Sequence, residues 1–195
     1  CWRERCRRRS ALRGAGGRRA SVCQPLRAAM HRHQLAGVRW LFKACCRGGG
    51  ILGDDPGLGK TLQVLALIEA LVRAAHAQRV LVVAPANLVK TWMAEERRWL
   101  RRSSFGLAML DVGEPGLHAA EKLKQLVSPV ADGTHLVGVV SYETLAKHAS
   151  ELVGRLPLDL LVADEAHRLR NDGDRATTIA NVRATARVLV SATPM

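Results

Sequence analysis

The sequence predicts an α/β fold in which a parallel sheet carries helices on both faces. Short apolar segments alternate along the chain with amphipathic segments of helical period. The apolar segments are rich in β-branched residues and lack polar alternation, as in RVLVVAP (79–85). Strands of this kind are buried on both sides, which is typical of parallel sheets whose connections are helices. Functional loops of such a sheet lie at the carboxyl ends of its strands.

The predicted elements follow one another in regular order from Leu26 onward. The first is a helix, because apolar residues recur at helical spacing between Leu35 and Phe42, and the glycines at 48–50 end it. Further helices are predicted at 60–75, 87–100, 117–127, 143–152 and 176–186. Strands are predicted at 50–52, 79–85, 106–112, 135–142, 158–165 and 187–193.

Positive charge is concentrated at the amino end. The chain of 195 residues has a net charge of +13. Residues 1–25 are aperiodic and rich in Arg, Gly and Ser, which predicts a disordered basic arm followed by one folded domain at 26–195. Such an arm suits phosphate backbones, although the arginine-rich bias of the whole chain would produce the same pattern.

Two other classes are disfavoured by composition. No apolar run approaches the length of a membrane span, so we expect no membrane partner. A zinc site could be assembled only from Cys1, Cys6, Cys23, His31 and His33, which lack paired C-x-x-C spacing, so plain thiols are expected.

The segment GDDPGLGKT (53–61) has the context of a phosphate-binding loop, since it lies between a predicted strand and a predicted helix. Glycines permit backbone angles that let successive N–H groups point at phosphate oxygens. Lys60 would reach the β- and γ-phosphates, and the Thr61 hydroxyl would ligate Mg²⁺. Asp54 stands where the common pattern has its first glycine, so a simple glycine turn stays open as the alternative. The expected nucleotide-binding residues of the loop are Asp55, Gly57, Leu58, Gly59, Lys60, Thr61 and Leu62.

Two acidic residues end a second apolar segment, LLVADEAH (160–167). Asp164 can hold Mg²⁺, directly or through water, and Glu165 can orient or deprotonate an attacking water. Together with Lys60 they form the expected catalytic set. Taken alone, the same sequence pattern could be two surface acids that cap a helix.

Two further segments complete the predicted site. In VSATP (190–194), the hydroxyls of Ser191 and Thr193 could sense the acidic pair and couple nucleotide state to the rest of the molecule. Gln34, ahead of the loop, offers an amide donor and acceptor that suit an adenine edge. The alternative for VSATP is a simple turn at the end of a strand, and the alternative for Gln34 is a helix residue that faces solvent.

Taken in this order, the segments resemble the first RecA-like lobe of the Swi/Snf family of helicase-like, DNA-translocating ATPases. QLAGVRWL (34–41) is similar to the family's adenine-reading segment, and DDPGLGKT (54–61) to its variant phosphate loop, in which an acidic pair precedes the glycines. DEAHRLRN (164–171) and SATPM (191–195) resemble its later motifs, and VLVVAPANLVKTW (80–92) and VVSYETL (139–145) the motifs between. Pro56 and Ala192 depart from the family's commoner residues.

The resemblance implies a P-loop NTPase with a RecA-like parallel sheet that uses ATP and Mg²⁺. It implies translocation along double-stranded DNA, bare or in nucleosomes, in chromatin remodelling or DNA repair. The expected location is the nucleus in a eukaryote and the cytoplasm otherwise. The segments that would face DNA contain Ala86, Asn87, Lys90, Ser141 and Tyr142. The last two could instead cap a helix and fill the core. The family's second RecA-like lobe has no counterpart here, so we expect the chain to be a fragment.

Two alternatives stay open at this level. DEAH suggests an RNA helicase of the DEAH-box group, but that group resembles Gly-x-Thr-Gly-Ser-Gly-Lys-Thr in its loop, whereas this chain has GLGKT. A non-catalytic remnant that binds DNA or partners through its basic arm is the other.

Because only one side of the nucleotide would be held, the chain by itself should bind ATP weakly and show little or no DNA-stimulated hydrolysis. Phosphate release with and without duplex DNA measures this. Brisk hydrolysis on adding duplex DNA would contradict it.

Overall fold

The computed structural model describes residues 20–100, 109–113, 119–128, 135–152 and 157–192. Within these ranges six strands form one sheet in the order β1-β6-β5-β2-β4-β3, and every neighbouring pair is parallel. The strands are β1 Gly49–Leu52, β2 Arg79–Ala84, β3 Met109–Asp111, β4 Leu136–Ser141, β5 Leu158–Ala163 and β6 Ala184–Val190. The helices are α1 Gln24–Ala29, α2 Arg32–Arg47, α3 Lys60–Arg73, α4 Ala86–Trp99, α5 Ala119–Leu126, α6 Tyr142–His148 and α7 Gly173–Asn181, and two 3₁₀ segments cover Ala149–Leu152 and Ala166–Asn171.

Both faces of the sheet are buried, which confirms the predicted fold class. Along β2, Val80 and Val82 belong to one hydrophobic cluster, together with residues of α1 to α4. Leu81 and Val83 belong to the other cluster, together with residues of α5 to α7. Alternate side chains of a strand point to opposite faces, so a strand covered on both sides must be apolar throughout. None of the helices in the described part of the chain is long and apolar enough to cross a membrane.

Two elements near the carboxyl end differ from their predicted positions. Helix α7 begins at Gly173 because the Asp172 carboxylate accepts a hydrogen bond from the N–H of Arg175, at 3.0 Å. The segment from Ala184 was predicted as helix but pairs with β5 in the sheet, in the register Leu158 to Ala184. Alanine is the strongest helix former, but helix propensity is a weak preference, and pairing with the buried strand β5 overrides it.

The amino end also differs from prediction. A break near Met30 divides the predicted helix into α1 and α2, and α1 begins at Gln24, two residues before the predicted domain boundary. Cys23 is buried and its N–H donates to Glu69 Oε2 at 3.4 Å. Residues 1–19, which include most of the predicted basic arm with Cys1 and Cys6, lie outside the described residues.

The parallel arrangement brings the loops after β1, β2, β4, β5 and β6 to one edge of the sheet. Hydrogen bonds extend the strand ladders beyond the strands themselves at this edge. The N–H of Asp164 donates to the carbonyl of Val83 at 2.8 Å, and that of Ser191 donates to the carbonyl of Leu52 at 3.1 Å. The residues that follow the strands are therefore held in fixed positions relative to one another.

Gly49, at the start of β1, tests how tightly this edge strand is packed. Its φ is +132°, and a Cβ added to it would lie 1.8 Å from the carbonyl oxygen of Arg187 in β6. Gly49→Ala should therefore lower the free energy of unfolding by about 2–3 kcal/mol, measured by urea denaturation. Gly173→Ala is a matched control, because a Cβ added there would have no atom within 4 Å. Its free energy of unfolding should be unchanged or higher by less than about 1 kcal/mol. Equal effects of the two substitutions would contradict the close approach.

Candidate active site

The loop between β1 and α3 has the backbone of a phosphate-binding loop. Gly57 and Gly59 have φ values of +81° and +76°, in the left-handed region that favours glycine. Gly59 is the residue that precedes α3, so the amino end of this helix opens onto the loop. An anion placed there would meet the N–H groups and the positive end of the helix dipole.

Lys60 is held within the loop by two carbonyl groups. Its Nζ donates to the carbonyl oxygen of Asp54 at 2.7 Å and to that of Asp55 at 3.0 Å. Both bonds fold the loop around the ammonium group. A bound triphosphate would offer charged oxygens, which accept stronger hydrogen bonds than carbonyls. The Lys60 ammonium group can therefore exchange its bonds to the loop for bonds to a phosphate.

The Asp54 side chain anchors the loop to α3. Its Oδ2 accepts a hydrogen bond from Nε2 of Gln63, a fully buried residue, at 2.7 Å. Glycine at this position would leave that buried amide without its acceptor. The departure from the common glycine pattern thus has a structural reason, which the sequence pattern did not reveal.

Asp164 lies at the carboxyl end of β5 and is almost fully buried, with 8% of its surface exposed. Its Oδ2 accepts from Trp92 Nε1 at 2.8 Å, and its Oδ1 accepts from the N–H of Glu165 at 2.9 Å. Burial raises the pKa of the Asp164 carboxyl, and these bonds together with the charge of Lys60 only partly oppose the rise. A carboxylate in this position would be stabilised by a bound cation.

Glu165 is placed by an unusual backbone conformation. Its φ and ψ of 50° and 45° are left-handed, which is rare for a residue with a side chain. Its Oε2 lies 3.2 Å from Nδ1 of His167, and the same nitrogen lies 3.4 Å from Oγ of Ser191. His167 thus links the end of β5 with the end of β6. Thr193, the other predicted coupling residue, lies outside the described residues.

The phosphate-binding loop and the acidic pair at the end of β5 line one cleft of about 530 Å³. Lys60 and Thr61 line it from α3, and Asp164 and Glu165 line it from the end of β5. The remaining lining residues are Pro56, Gly57, Gly59, Leu62, Leu88, Thr91, Glu95, Trp99 and Ala192. The structure therefore brings the ammonium group and the two carboxylates together around one space. The contribution of α4 to this space was not anticipated from the sequence.

Three predicted nucleotide-binding residues lie beside the cleft without lining it. Asp55 and Leu58 contribute backbone carbonyls to the loop. Gln34 is buried, its Nε2 donates to the carbonyl of Leu58 at 3.1 Å, and its Oε1 accepts from the N–H of His31 at 2.9 Å. A carboxamide has two N–H groups and two acceptor lone pairs, so one of each is left for a ligand. In this conformation Gln34 acts as a brace for the phosphate loop.

The residues expected to face DNA divide into two groups. Ala86, Asn87 and Lys90 are exposed near the amino end of α4. Ser141 caps α6, with its Oγ accepting from the N–H of Thr144 at 3.0 Å. Tyr142 differs from the expectation, because its ring is buried and its hydroxyl donates to the Asp164 carbonyl at 2.7 Å. Tyr142 fills the core and supports the end of β5.

The oxygen atoms in the cleft fit a hard divalent cation. Thr61 and Asp164 line the same space, and the Asp164 carboxylate keeps two lone-pair directions beyond its two accepted bonds. The described residues contain no group of three or more His, Cys, Asp or Glu side chains that could hold a metal ion. An ion here would take most of its ligands from phosphate and water, as Mg²⁺ commonly does.

A parallel sheet with helices on both faces, a glycine-rich loop before a helix and an acidic pair at the end of another strand of the same sheet define the class of P-loop nucleotide-binding domains. Within that class, the chain belongs to the family described as SNF2-related domain, whose model matches residues 33–195. The resemblance to the first lobe of a Swi/Snf helicase-like ATPase is thereby confirmed.

Individual proteins are similar to most of this chain. The chain is 31% identical over 191 residues to the DNA repair protein rhp54 of Schizosaccharomyces pombe, covering 90% of the chain and 22% of that protein. It is 34% identical over 177 residues to the DNA repair and recombination protein RAD54 of Oryza sativa subsp. japonica, covering 84% of the chain and 18% of that protein. The chain thus spans about a fifth of the length of these relatives.

A solved structure shows the same fold. It is the Sulfolobus solfataricus SWI2/SNF2 ATPase core in complex with dsDNA, with a TM-score of 0.70 and 20% sequence identity. The match covers 89% of this chain and 34% of that one. The predicted RecA-like architecture is therefore confirmed.

The anchor made by Asp54 can be tested directly. Asp54→Ala should lower the free energy of unfolding by about 1–3 kcal/mol, because it leaves the buried Gln63 amide without its acceptor. Urea denaturation measures the loss. In Asp55→Ala, where the neighbouring carboxylate is exposed, stability should stay within about 0.5 kcal/mol of the unmodified chain. A neutral result for Asp54→Ala would contradict the proposed anchor.

Proposed function

We propose that this chain is the ATP-binding lobe of a DNA-dependent ATPase that translocates along double-stranded DNA. The observation that carries the proposal is the single cleft shared by Lys60, Thr61, Asp164 and Glu165. A positive group and a buried carboxylate that line one cleft are what a magnesium-bound triphosphate requires.

Each residue has a role that follows from its position. The N–H groups of the loop and Lys60 bind the β- and γ-phosphates. Thr61 and Asp164 would hold Mg²⁺, which when bound neutralises charge on the phosphates. Glu165 orients the attacking water or accepts its proton, and His167 positions the Glu165 carboxylate at 3.2 Å. Ser191, beside His167, couples the state of this site to the end of β6.

Contact with DNA is proposed at the exposed residues near the amino end of α4, Ala86, Asn87 and Lys90, and at Ser141. The family resemblance and the relatives named for DNA repair support a duplex substrate. The related archaeal ATPase core is described in complex with dsDNA. A second RecA-like lobe would close the cleft and complete the DNA track. Nuclear repair or chromatin remodelling, with nucleosomes as a substrate, is the proposed setting.

No specific observation favours a DEAH-box RNA helicase or a non-catalytic remnant. The similar proteins are named for DNA repair and recombination rather than for RNA. A non-catalytic remnant would not need to keep Lys60, Thr61, Asp164 and Glu165 around one cleft. In a chain extended to include the second lobe, hydrolysis should be stimulated by duplex DNA and not by RNA.

Lys60→Ala tests the nucleotide site in the chain as it stands. Binding of a fluorescent ATP analogue should weaken about tenfold or more, a loss of roughly 1.4 kcal/mol or more, because the phosphates lose their ammonium partner. Lys43→Ala, which removes an exposed lysine on α2, should leave binding unchanged. Circular dichroism controls for folding. Equal binding by the two variants would contradict the proposed site.

A further inference from the structure

The position of the Asp164 carboxylate depends on a tryptophan from a distant part of the chain. Trp92 is 1% exposed, and its Nε1 donates to Asp164 Oδ2 at 2.8 Å across 72 positions of sequence. We propose that Trp92 is a positioning residue that holds the Asp164 carboxylate in the orientation needed to bind the metal ion. This inference rests on the proposed function, since it assigns a role within that ATP site.

The two hydrogen bonds to Asp164 come from two different elements. Oδ1 is held by the N–H of Glu165, in the turn that follows β5, and Oδ2 is held by the indole of α4. An indole has one N–H and no acceptor, so this contact has a fixed direction and cannot reverse. With both oxygens held, the carboxylate cannot rotate freely, and its remaining lone pairs keep one direction toward the cleft. Partners of metal ligands that fix ligand orientation commonly govern metal affinity.

The helix that carries Trp92, α4, also carries residues of the proposed DNA surface and of the cleft. Asn87 and Lys90 are exposed near its amino end, whereas Thr91, Glu95 and Trp99 of the same helix line the cleft. A rigid displacement of α4 would therefore move the Trp92 donor relative to Asp164. Trp92 provides a direct physical link between the surface proposed to meet DNA and the metal-binding carboxylate.

A tryptophan outside the cleft provides a control. Trp40 lies on α2, is 49% exposed and does not line the cleft. The indole that bonds to Asp164 Oδ2 is that of Trp92, so replacing Trp40 by phenylalanine removes an indole N–H that does not hold Asp164. Both substitutions keep an aromatic ring, so a difference between them reports the bond to Asp164.

The experiment is a Mg²⁺ titration of fluorescent ATP analogue binding to the 195-residue chain and to its Trp92→Phe and Trp40→Phe variants. In Trp92→Phe the Mg²⁺ concentration for half-maximal binding should rise about tenfold, while affinity in the presence of EDTA stays within about twofold. In Trp40→Phe the Mg²⁺ midpoint should stay within about twofold of the unmodified chain. A merely structural role would alter both conditions together. An unchanged Mg²⁺ midpoint in folded Trp92→Phe, or equal shifts in both variants, would overturn the inference.

A second measurement decides the matter if Trp92→Phe does not fold. In the unmodified, ¹⁵N-labelled chain with the ATP analogue bound, addition of Mg²⁺ should shift the Trp92 indole N–H resonance. That resonance is the one that persists in each of the Trp2→Phe, Trp40→Phe and Trp99→Phe variants, since the chain has four tryptophans. No shift under these conditions would overturn the inference and leave the ATP site standing. Absence of any analogue binding by the unmodified chain, at any Mg²⁺ concentration, would overturn the proposed function and this inference with it.

Discussion

The parallel pairing of β2, β5, β6 and β1 is the constraint on which the rest of the molecule depends. Because these strands run in the same direction, the segments that follow them end at one edge of the sheet. The backbone bonds from Asp164 to Val83 and from Ser191 to Leu52 extend this alignment past the strands. Without it, the loop that contains Lys60 and the turn that contains Asp164 would not share a cleft. The buried, apolar strands stabilise the sheet, and the edge they create is left for polar chemistry.

Buried polar contacts convert that edge into a site with fixed geometry. Asp164 is removed from water, yet the N–H groups of Trp92 and Glu165 occupy both of its oxygens. Asp54 performs a similar task for the phosphate loop, through Gln63. A buried polar group is costly unless it is paired, so each of these contacts strongly favours a single arrangement. Burial, which raises the pKa of Asp164, also makes a cation the natural partner for its charged form.

The sequence predicted the fold class, the family and the order of the elements, because apolar periodicity and short motifs are local properties. It was less successful where tertiary contacts compete with local preference. The segment from Ala184 looks helical but is drawn into the sheet by pairing with β5. Tyr142 lies in a segment expected to face DNA, but its ring fills the core and its hydroxyl donates to the Asp164 carbonyl, and the sequence alone left both possibilities open. Trp92 looked like one more apolar residue of a helix, and its bond to Asp164 spans too much sequence for any local pattern to reveal.

The amino-acid sequence by itself determined which chemical groups are available: the glycines and Lys60 of the loop, the hydroxyl of Thr61 and the acidic pair at the end of a strand. It determined this because each motif combines the residue types and the local backbone that its chemistry needs. Only the tertiary structure decided which side chains reach the cleft, which brace it and which are buried behind it. Those distinctions depend on distances between elements that lie far apart along the chain, and they are set when the sheet and its helices pack together.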